Sequence, residues 1–527
     1  MKNSLKVRSF WIVLLLIFAT SILFLQGCSS DDNPSEPTKK GPQVVNSPAV
    51  LYYGQIPEGQ TATREFIIFN TGDEPLIISE MTIEGTDTAA FTLLDVSGEV
   101  TIPINKIVSF AVRFDPTEVK SYDAQVVITS NAKTSPDVQD LEGIATGTDG
   151  NITFERIIGG VDSEGGGKVR ALDDGGFIIA GSSYNDDEGT NVATLFRLDQ
   201  FGNLLWKKQY TVTGITGFSG LEVSASGNFV CTGNTRTGIQ SNTSVFALST
   251  DDNGNILWQE VYDLGGGQDD AANEIRKTTH GGYIICGATN NVDEMISGVK
   301  DAVLIKIDNN GTYEWHKTYG TLEGEEANSV KQTKGGGYIF AGSTTVRSDE
   351  PGGDFDYYLV KTDDEGNQLW FKTFGGADYD FATSIVVDEQ GGYVIAGYTS
   401  SFGAGARDYW VIKTDTSGVE EWNKTYGGPE NDTVSEIIQT NDDGFYIVGG
   451  SSSFTTGSNG QPTNQIWVIK TDNSGNEEWD KLYGGPGGDS GSGACQLDGG
   501  YIISGGTSSF SDNNDLYVLR TMDDGSI

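Results

Sequence analysis

An all-β chain, an immunoglobulin-like β-sandwich followed by a seven-bladed β-propeller with strand-swap closure, is predicted by three observations. Between residues 44 and 148, apolar and polar residues alternate over short runs separated by turn signals. Over residues 151–527, Trp206, Trp258, Trp315, Trp370, Trp422 and Trp479 recur about every 52–57 residues, with Phe154 in phase ahead of them. No piece of this repeat keeps a helical period long enough for a helix, which excludes leucine-rich and helical solenoids.

In the first domain, 63–69 reads as a strand ended by Asn70-Thr71-Gly72-Asp73, and 108–114 alternates with period two. Further runs at 76–78 and 125–129 bring the expectation to about seven short strands, the size of an immunoglobulin-like sandwich. The domain contains no cysteine, so no disulfide joins its sheets. Tyr53-Gly54, Asn70-Thr71-Gly72, Pro75-Leu76, Phe91-Thr92, Arg113-Phe114-Asp115-Pro116, Tyr122, Ser130-Asn131 and Gly143 resemble the ASH-type sandwich of bacterial "choice-of-anchor" surface proteins. The resemblance implies a spacer or docking module without catalytic residues.

Each repeat contains four short pieces, A to D from the inside outward; in one unit they are 382–386, 392–397, 409–413 and 421–424. Four strands in a unit of this length make a propeller blade. The A and B pieces occur seven times, the last unit lacks a D strand, and an orphan D-like strand at 153–157 precedes the first. Pairing 153–157 with 516–520 closes the ring from both chain ends and removes an exposed edge. The tryptophans are then expected to pack between blades. Asp415-Thr416-Ser417-Gly418 before Trp422 resembles the blade motifs of quinoprotein-like propellers, with Asp and Gly one residue closer than in that family. The resemblance implies the fold and not the enzyme activity.

Composition bounds the function. Across 527 residues, 33 Lys+Arg face 74 Asp+Glu, a formal net charge of −41. This excludes nucleic acid, whose phosphates need cations opposite them, and charge-driven docking on anionic lipid. Two His and four Cys leave little material for a zinc site or a disulfide framework. No cofactor is expected; Ca2+ is the one ion that acid-rich turns such as 363–367 invite. Tight-turn chemistry accounts for the same Asp/Gly strings.

Residues 1–27 read as a signal peptide, with Lys2, Lys6 and Arg8 ahead of an apolar run at 10–25. The run ends in Leu25-Gln26-Gly27-Cys28, which resembles the lipobox of bacterial lipoproteins and implies cleavage before Cys28 and its lipidation. Two or more acyl chains anchor a protein stably on a membrane. The polar and acidic Ser29-Ser30-Asp31-Asp32-Asn33-Pro34 resemble the surface-export signals of Bacteroidota-type lipoproteins, which implies the outer membrane, exposed at the cell surface. Residues 28–43 are rich in Ser, Pro and charge and read as a flexible tether.

A ligand is expected on the face of the B–C and D–A loops, because B–C loops such as 290–300, 343–356, 399–407 and 451–464 are long and variable. Phe402, Phe454 and Phe510 stand at Ser-Phe loop tips, where a ring can stack on a sugar, pack on a partner or fold back on its own loop. Glu164, Asp270, Glu325, Asp380, Asp432 and Asp489 open successive A strands, Phe218 taking the place in the second unit. Such acids either focus negative potential on a cation or basic partner or accept backbone N–H groups and fix the loop. No Gly-x-Ser-x-Gly elbow, phosphate loop or His-Glu zinc motif occurs, and His280 and His316 have no repeated partner. The expected function is a membrane-anchored scaffold that binds glycan or protein. The alternatives are a carbohydrate-active hydrolase or lyase with acids at the channel mouth, and a structural surface protein without a specific ligand.

Overall fold

Strand alternation builds both units of the chain, which divides between Thr146 and Gly147. The computed structural model describes residues 41–527 apart from 48–49, 58–60, 95–97, 119, 147–151, 160–162, 186–188, 211–216, 237–241, 265–268, 291–299, 321–323, 346–353, 458–459 and 511–513. The signal peptide, Cys28 and all but the end of the tether lie outside the described residues.

The N-terminal unit is an immunoglobulin-like domain of two sheets, four-stranded and five-stranded, two strands more than the sequence runs suggest. The smaller sheet runs in the order Val44–Ser47, Ala62–Asn70, Ile107–Phe114, Phe91–Leu94. The larger contains Leu76–Glu84, Ser121–Ser130 and Asp137–Thr146, and Val50–Pro57 adds to it in parallel. Period-two alternation buries Phe66, Ile68, Phe110, Val112 and Phe114 from one sheet against Leu76, Val126, Ile128 and Leu141 from the other. Two sequence signals gain a cause here. Asn70 is buried and ties its own turn, donating to the carbonyls of Glu74 at 2.8 Å and Ile102 at 3.0 Å while accepting from Gly72 N. Gly143 lies under the Phe114 ring, 2.6 Å from where a Cβ would stand.

The described residues of the second unit form seven four-stranded antiparallel sheets. The first consists of Glu164–Ala171, Phe177–Asn185, Thr190–Leu198 and Leu204–Tyr210. The seventh combines Asp489–Leu497, Gly500–Thr507 and Asp515–Thr521 with Phe154–Ile158 from the start of the unit. Phe154 pairs with Arg520 and Ile158 with Leu516, so the two ends of the unit complete one sheet. The A strands touch in succession from the first sheet to the seventh, and the seventh touches the first. Across that last seam Ser504 Oγ donates to Gly167 O at 2.5 Å. The order of contacts is therefore cyclic. Cores fill the junctions between sheets; that of the fifth and sixth contains Val394, Val411, Ile437 and Ile447.

The recurring tryptophan closes each junction on its outer side. Trp370 of the fourth sheet covers Gly418 in the C–D turn of the fifth, and a Cβ there would stand 2.8 Å from the indole. Gly418 has φ +76°, a conformation that costs an L-residue with a side chain. Trp206, Trp258, Trp315, Trp422 and Trp479 cover Gly254, Gly311, Gly366, Gly475 and Gly525 in the same way, and Phe154 covers Gly202. Except after Trp370, where Phe374 stands, a tyrosine four residues beyond the Trp donates its hydroxyl to the covered glycine's carbonyl, as in Tyr262 to Gly311 at 2.7 Å and Tyr483 to Gly525 at 2.7 Å. The Asp that begins the turn caps it: Asp415 Oδ1 accepts Ser417 N at 2.8 Å and Val419 N at 2.9 Å.

Gly418→Ala combines the left-handed backbone with overpacking against Trp370, and should cost about 1–3 kcal/mol. Urea unfolding of the wild type and the variant measures this; equal midpoints would mean that the indole does not depend on the bare glycine.

Candidate functional site

The six acids at the starts of A strands are buried, between 0% and 4% exposed. They hold loops. Gly376 N, Gly428 N and Gly485 N donate to Asp380, Asp432 and Asp489 at 2.7, 2.9 and 2.9 Å. Leu264 N donates to Asp270, Thr344 Oγ1 to Glu325, and Lys207 Nζ pairs with Glu164 at 2.7 Å. Burial raises the Asp270 carboxyl above the usual range, against the hydrogen bonds it accepts. The acids thus serve the loop-fixing reading and do not stand on a solvent-exposed rim.

The Phe tips belong to the same device. Ser401, Ser453 and Ser509 donate to Asp380, Asp432 and Asp489 at 2.8, 2.8 and 2.6 Å, which sets the next residue at the tip. Phe402, Phe454 and Phe510 then rest against Trp410, Trp467 and Tyr517, with ring centroids at 5.2, 5.1 and 5.6 Å. They fold back and still expose 43%, 48% and 45% of their surface.

Asp432 also meets a second carboxylate. Asp408, buried at the start of the preceding sheet's C strand, accepts Ala404 N at 2.6 Å and Gly405 N at 3.1 Å through Oδ2. Its Oδ1 is buried without a partner, and a Cβ on Gly427 would meet both that oxygen and Asp432 Oδ2. Burial first, and then the charge of Asp432, hold the Asp408 carboxyl above its ordinary range, against the two backbone donors. At the next junction Gln465 stands in the position of Asp408 and donates Nε2 to Asp489 at 3.2 Å.

Sequence reasoning missed a charged network on the A strands. Arg276 of the third sheet lies 2.5 Å from Glu274 and 3.5 Å from Glu436 of the sixth. Those sheets are not neighbours in the cyclic order, so the guanidinium reaches across the middle of the array. Lys331 joins Glu274 at 3.1 Å and Lys168 joins Glu436 at 3.5 Å. Burial alone would raise the Glu274 pKa, but Arg276 and then Lys331 hold it well below the carboxylate range. Burial, with Arg276 beside it, pushes Lys331 down to about 8. The signal was present: four residues beyond each A-strand acid the chain reads Lys168, Glu274, Ser329, Ser384, Glu436 and Gly493, charged, polar or small at every repeat.

Among the described residues, clefts between successive sheets open on the face of the A–B and C–D turns, opposite the one that loop length points to. One of about 760 Å³ lies between the second and third sheets, walled by Leu257, Trp258 and Tyr283 and edged by hydroxyls and amides such as Ser226, Asn228, Thr279 and Asn310. Its lining contains no Asp or Glu, and Lys277 is its one charged residue. The equivalent cleft between the sixth and seventh sheets, about 450 Å³, contains Asp442, Glu478, Asp498 and Asp523. That between the fifth and sixth, about 390 Å³, contains Asp388, Asp415 and Glu421.

Residues 42–143 match the family model of the HYDIN/CFA65/VesB-like Ig-like domain. Regulatory protein FlaEY of Caulobacter vibrioides is 25% identical over 139 residues, 24% of this chain and 15% of that protein, so the chain spans a small part of that relative's length. Among solved structures, polysaccharide lyase Uly1 is 13% identical over 68% of this chain and 90% of its own, with a TM-score of 0.43. A putative exo-β-1,3-galactanase from Bifidobacterium bifidum is 13% identical over 51% of this chain and 92% of its own, with a TM-score of 0.30. The ASH/PapD-like domain of human CEP192 is 13% identical over 24% of this chain and 99% of its own, with a TM-score of 0.17.

A carboxyl whose folded pKa stands above its unfolded value stabilises in its protonated form, and loses that contribution as pH rises through the folded value. Asp408→Asn supplies an amide where Gln465 supplies one at the next junction. It should therefore stabilise the protein at about pH 8 by about 0.5–1.5 kcal/mol, with the gain shrinking toward about pH 4. Thermal melts across that range check it; a variant equal to or weaker than the wild type at the alkaline end contradicts the shared-carboxylate reading.

Proposed function

We propose that the chain is a lipid-anchored surface protein whose immunoglobulin-like domain carries a seven-bladed propeller, and that the propeller binds saccharide in the cleft between its second and third blades. Seven sheets in a cyclic order of contacts, one of them completed by both ends of the unit, support the propeller reading. The lipobox-like Leu25-Gln26-Gly27-Cys28 supports the anchor.

The lining of the cleft carries the ligand assignment. A sugar ring offers an apolar face of C–H groups and a rim of hydroxyls. Half-buried Trp258 and exposed Leu257 supply the apolar surface. Hydroxyl and amide side chains beside them can donate and accept toward ring hydroxyls. An acid-free lining in a chain with 74 acids spares such a ligand the desolvation of carboxylates. Few polar groups on an apolar wall is the general build of a small-molecule site.

A glycan array and titration calorimetry on the soluble chain test the assignment. Leu257→Asp, at a residue 52% exposed, leaves the Trp258–Gly311 packing intact. It should weaken saccharide binding at least tenfold, about 1.4 kcal/mol. Unchanged affinity in Leu257→Asp places the ligand elsewhere. For the anchor, Cys28→Ala should move the protein from the membrane fraction to the soluble one; retention in the membrane contradicts lipidation.

A further inference from the structure

The cleft between the second and third sheets does not end at its inner margin. A second cleft of about 760 Å³ lies between the first and second sheets, and Ser224, Ala225 and Lys277 line both. Each volume alone is ample for one small ligand, on the order of 300–1,000 Å³. Joined, they make a trough across three sheets, with Leu205 and Trp206 repeating at one end the Leu257–Trp258 pair of the other. A repeated apolar wall along one trough suits a ligand that is itself a repeating chain.

Charge along the trough is uneven. Arg197 is matched by Asp174, and Glu222 lies 3.8 Å from Arg276. Asp173 and Asp252 stand on exposed turns at the margins. Lys277, at the seam of the two clefts, is exposed, and its Nζ reaches Val223 O at 3.5 Å. Among the described residues no carboxylate lies within ion-pairing distance of its ammonium, although the chain has 74 acids to 33 bases. Arg170 lines the same trough from the first sheet, its guanidinium on its neighbour's carbonyl, Val169 O, at 2.7 Å. Glu222 also stands at the seam, where it accepts Lys277 N at 3.4 Å, but its charge faces Arg276. The ammonium of Lys277 is left to favour a negatively charged group on the ligand at that point.

We propose that the two clefts form one trough for an extended anionic polysaccharide, with Lys277 at the seam facing its carboxylate or sulfate groups. This rests on the saccharide reading above and adds length and charge to it. Calorimetry on the soluble chain would use polygalacturonate, alginate and chondroitin sulfate, each also as two-sugar and eight-sugar fragments, with neutral xylan and β-glucan as controls. At least one anionic series should bind, its eight-sugar fragment at least tenfold tighter than its two-sugar fragment, with affinity falling as salt rises. Lys277→Gln should weaken binding of the anionic polymer at least tenfold and flatten its salt dependence, with the melting temperature unchanged. Carboxylate and sulfate are distinguished by which series binds. Neutral polymers bound as well as anionic ones, fragments of equal affinity, or an unaffected Lys277→Gln would each overturn the trough while leaving the saccharide site standing. Failure of every polymer, neutral and anionic, would overturn the saccharide reading itself.

Discussion

The second unit depends on a tryptophan laid over a glycine of the next sheet. The contact needs a turn in which the glycine takes a left-handed backbone and leaves a flat, bare surface for the indole, as Gly418 does beneath Trp370. The Asp at the head of the turn fixes that geometry from inside, and at junctions such as that of Gly311 a tyrosine hydroxyl also fixes it from the neighbouring sheet. One sheet thus presents the ring and the next presents the seat. A chain built this way has an unfilled seat at one end and an unused ring at the other. Phe154 over Gly202 and Trp479 over Gly525 show both ends used, because Phe154–Ile158 has joined the last sheet.

The same closure explains why charge collects where the A strands converge. Strands packed side by side around an axis cannot all fill it with large apolar groups, and Ser329, Ser384 and Gly493 leave room there. Into that room reach Arg276, Lys331 and Lys168, with Glu274 and Glu436 between them. Taking such charges from water is costly unless each is matched. Here each carboxylate meets two cations, and Arg276 meets carboxylates from two distant sheets. The network therefore adds register more than raw stability: a sheet displaced by one place would leave a buried charge without its partner.

How much of this was legible in the sequence follows from the range of each interaction. Strand positions, their order and the pairing of 153–157 with 516–520 were readable because they express a local period and a count. The acid spacing was readable too, but its purpose was not. The bond from Ser453 to Asp432 spans two strands and a loop, and no local pattern joins the acid to the Phe tip that it positions. Loop length drew attention to the B–C side, yet the described clefts lie on the tight-turn side. They are gaps between sheets, lined by segments from two successive units, and tight turns leave them open. Lys208, two residues beyond Trp206, likewise reaches outside its own repeat, to Asn255 of the next turn at 2.9 Å.

The repeat also explains how one scaffold can carry unlike clefts. The seat fixes an aromatic ring over a glycine at every junction, Trp at six and Phe154 at the seventh, with Asp at the head of each turn except that of Gly525, where Met522 stands. The residue just before the Trp has no such duty, and it reads Leu205, Leu257, Glu314, Leu369, Glu421 and Glu478 around the unit. Ser224 at the second–third junction is likewise replaced by Asp388 at the fifth–sixth. Where both positions are acidic the cleft is a solvated, negative surface, continuous with the rest of a chain of net charge −41. Where they are Leu257 and Ser224, the geometry is the same but an apolar wall and a neutral floor replace the carboxylates. Because the seat does not depend on these positions, the lining can change without cost to the ring. Binding specificity can therefore reside in one pair of adjacent clefts while the remaining junctions serve only to close the array.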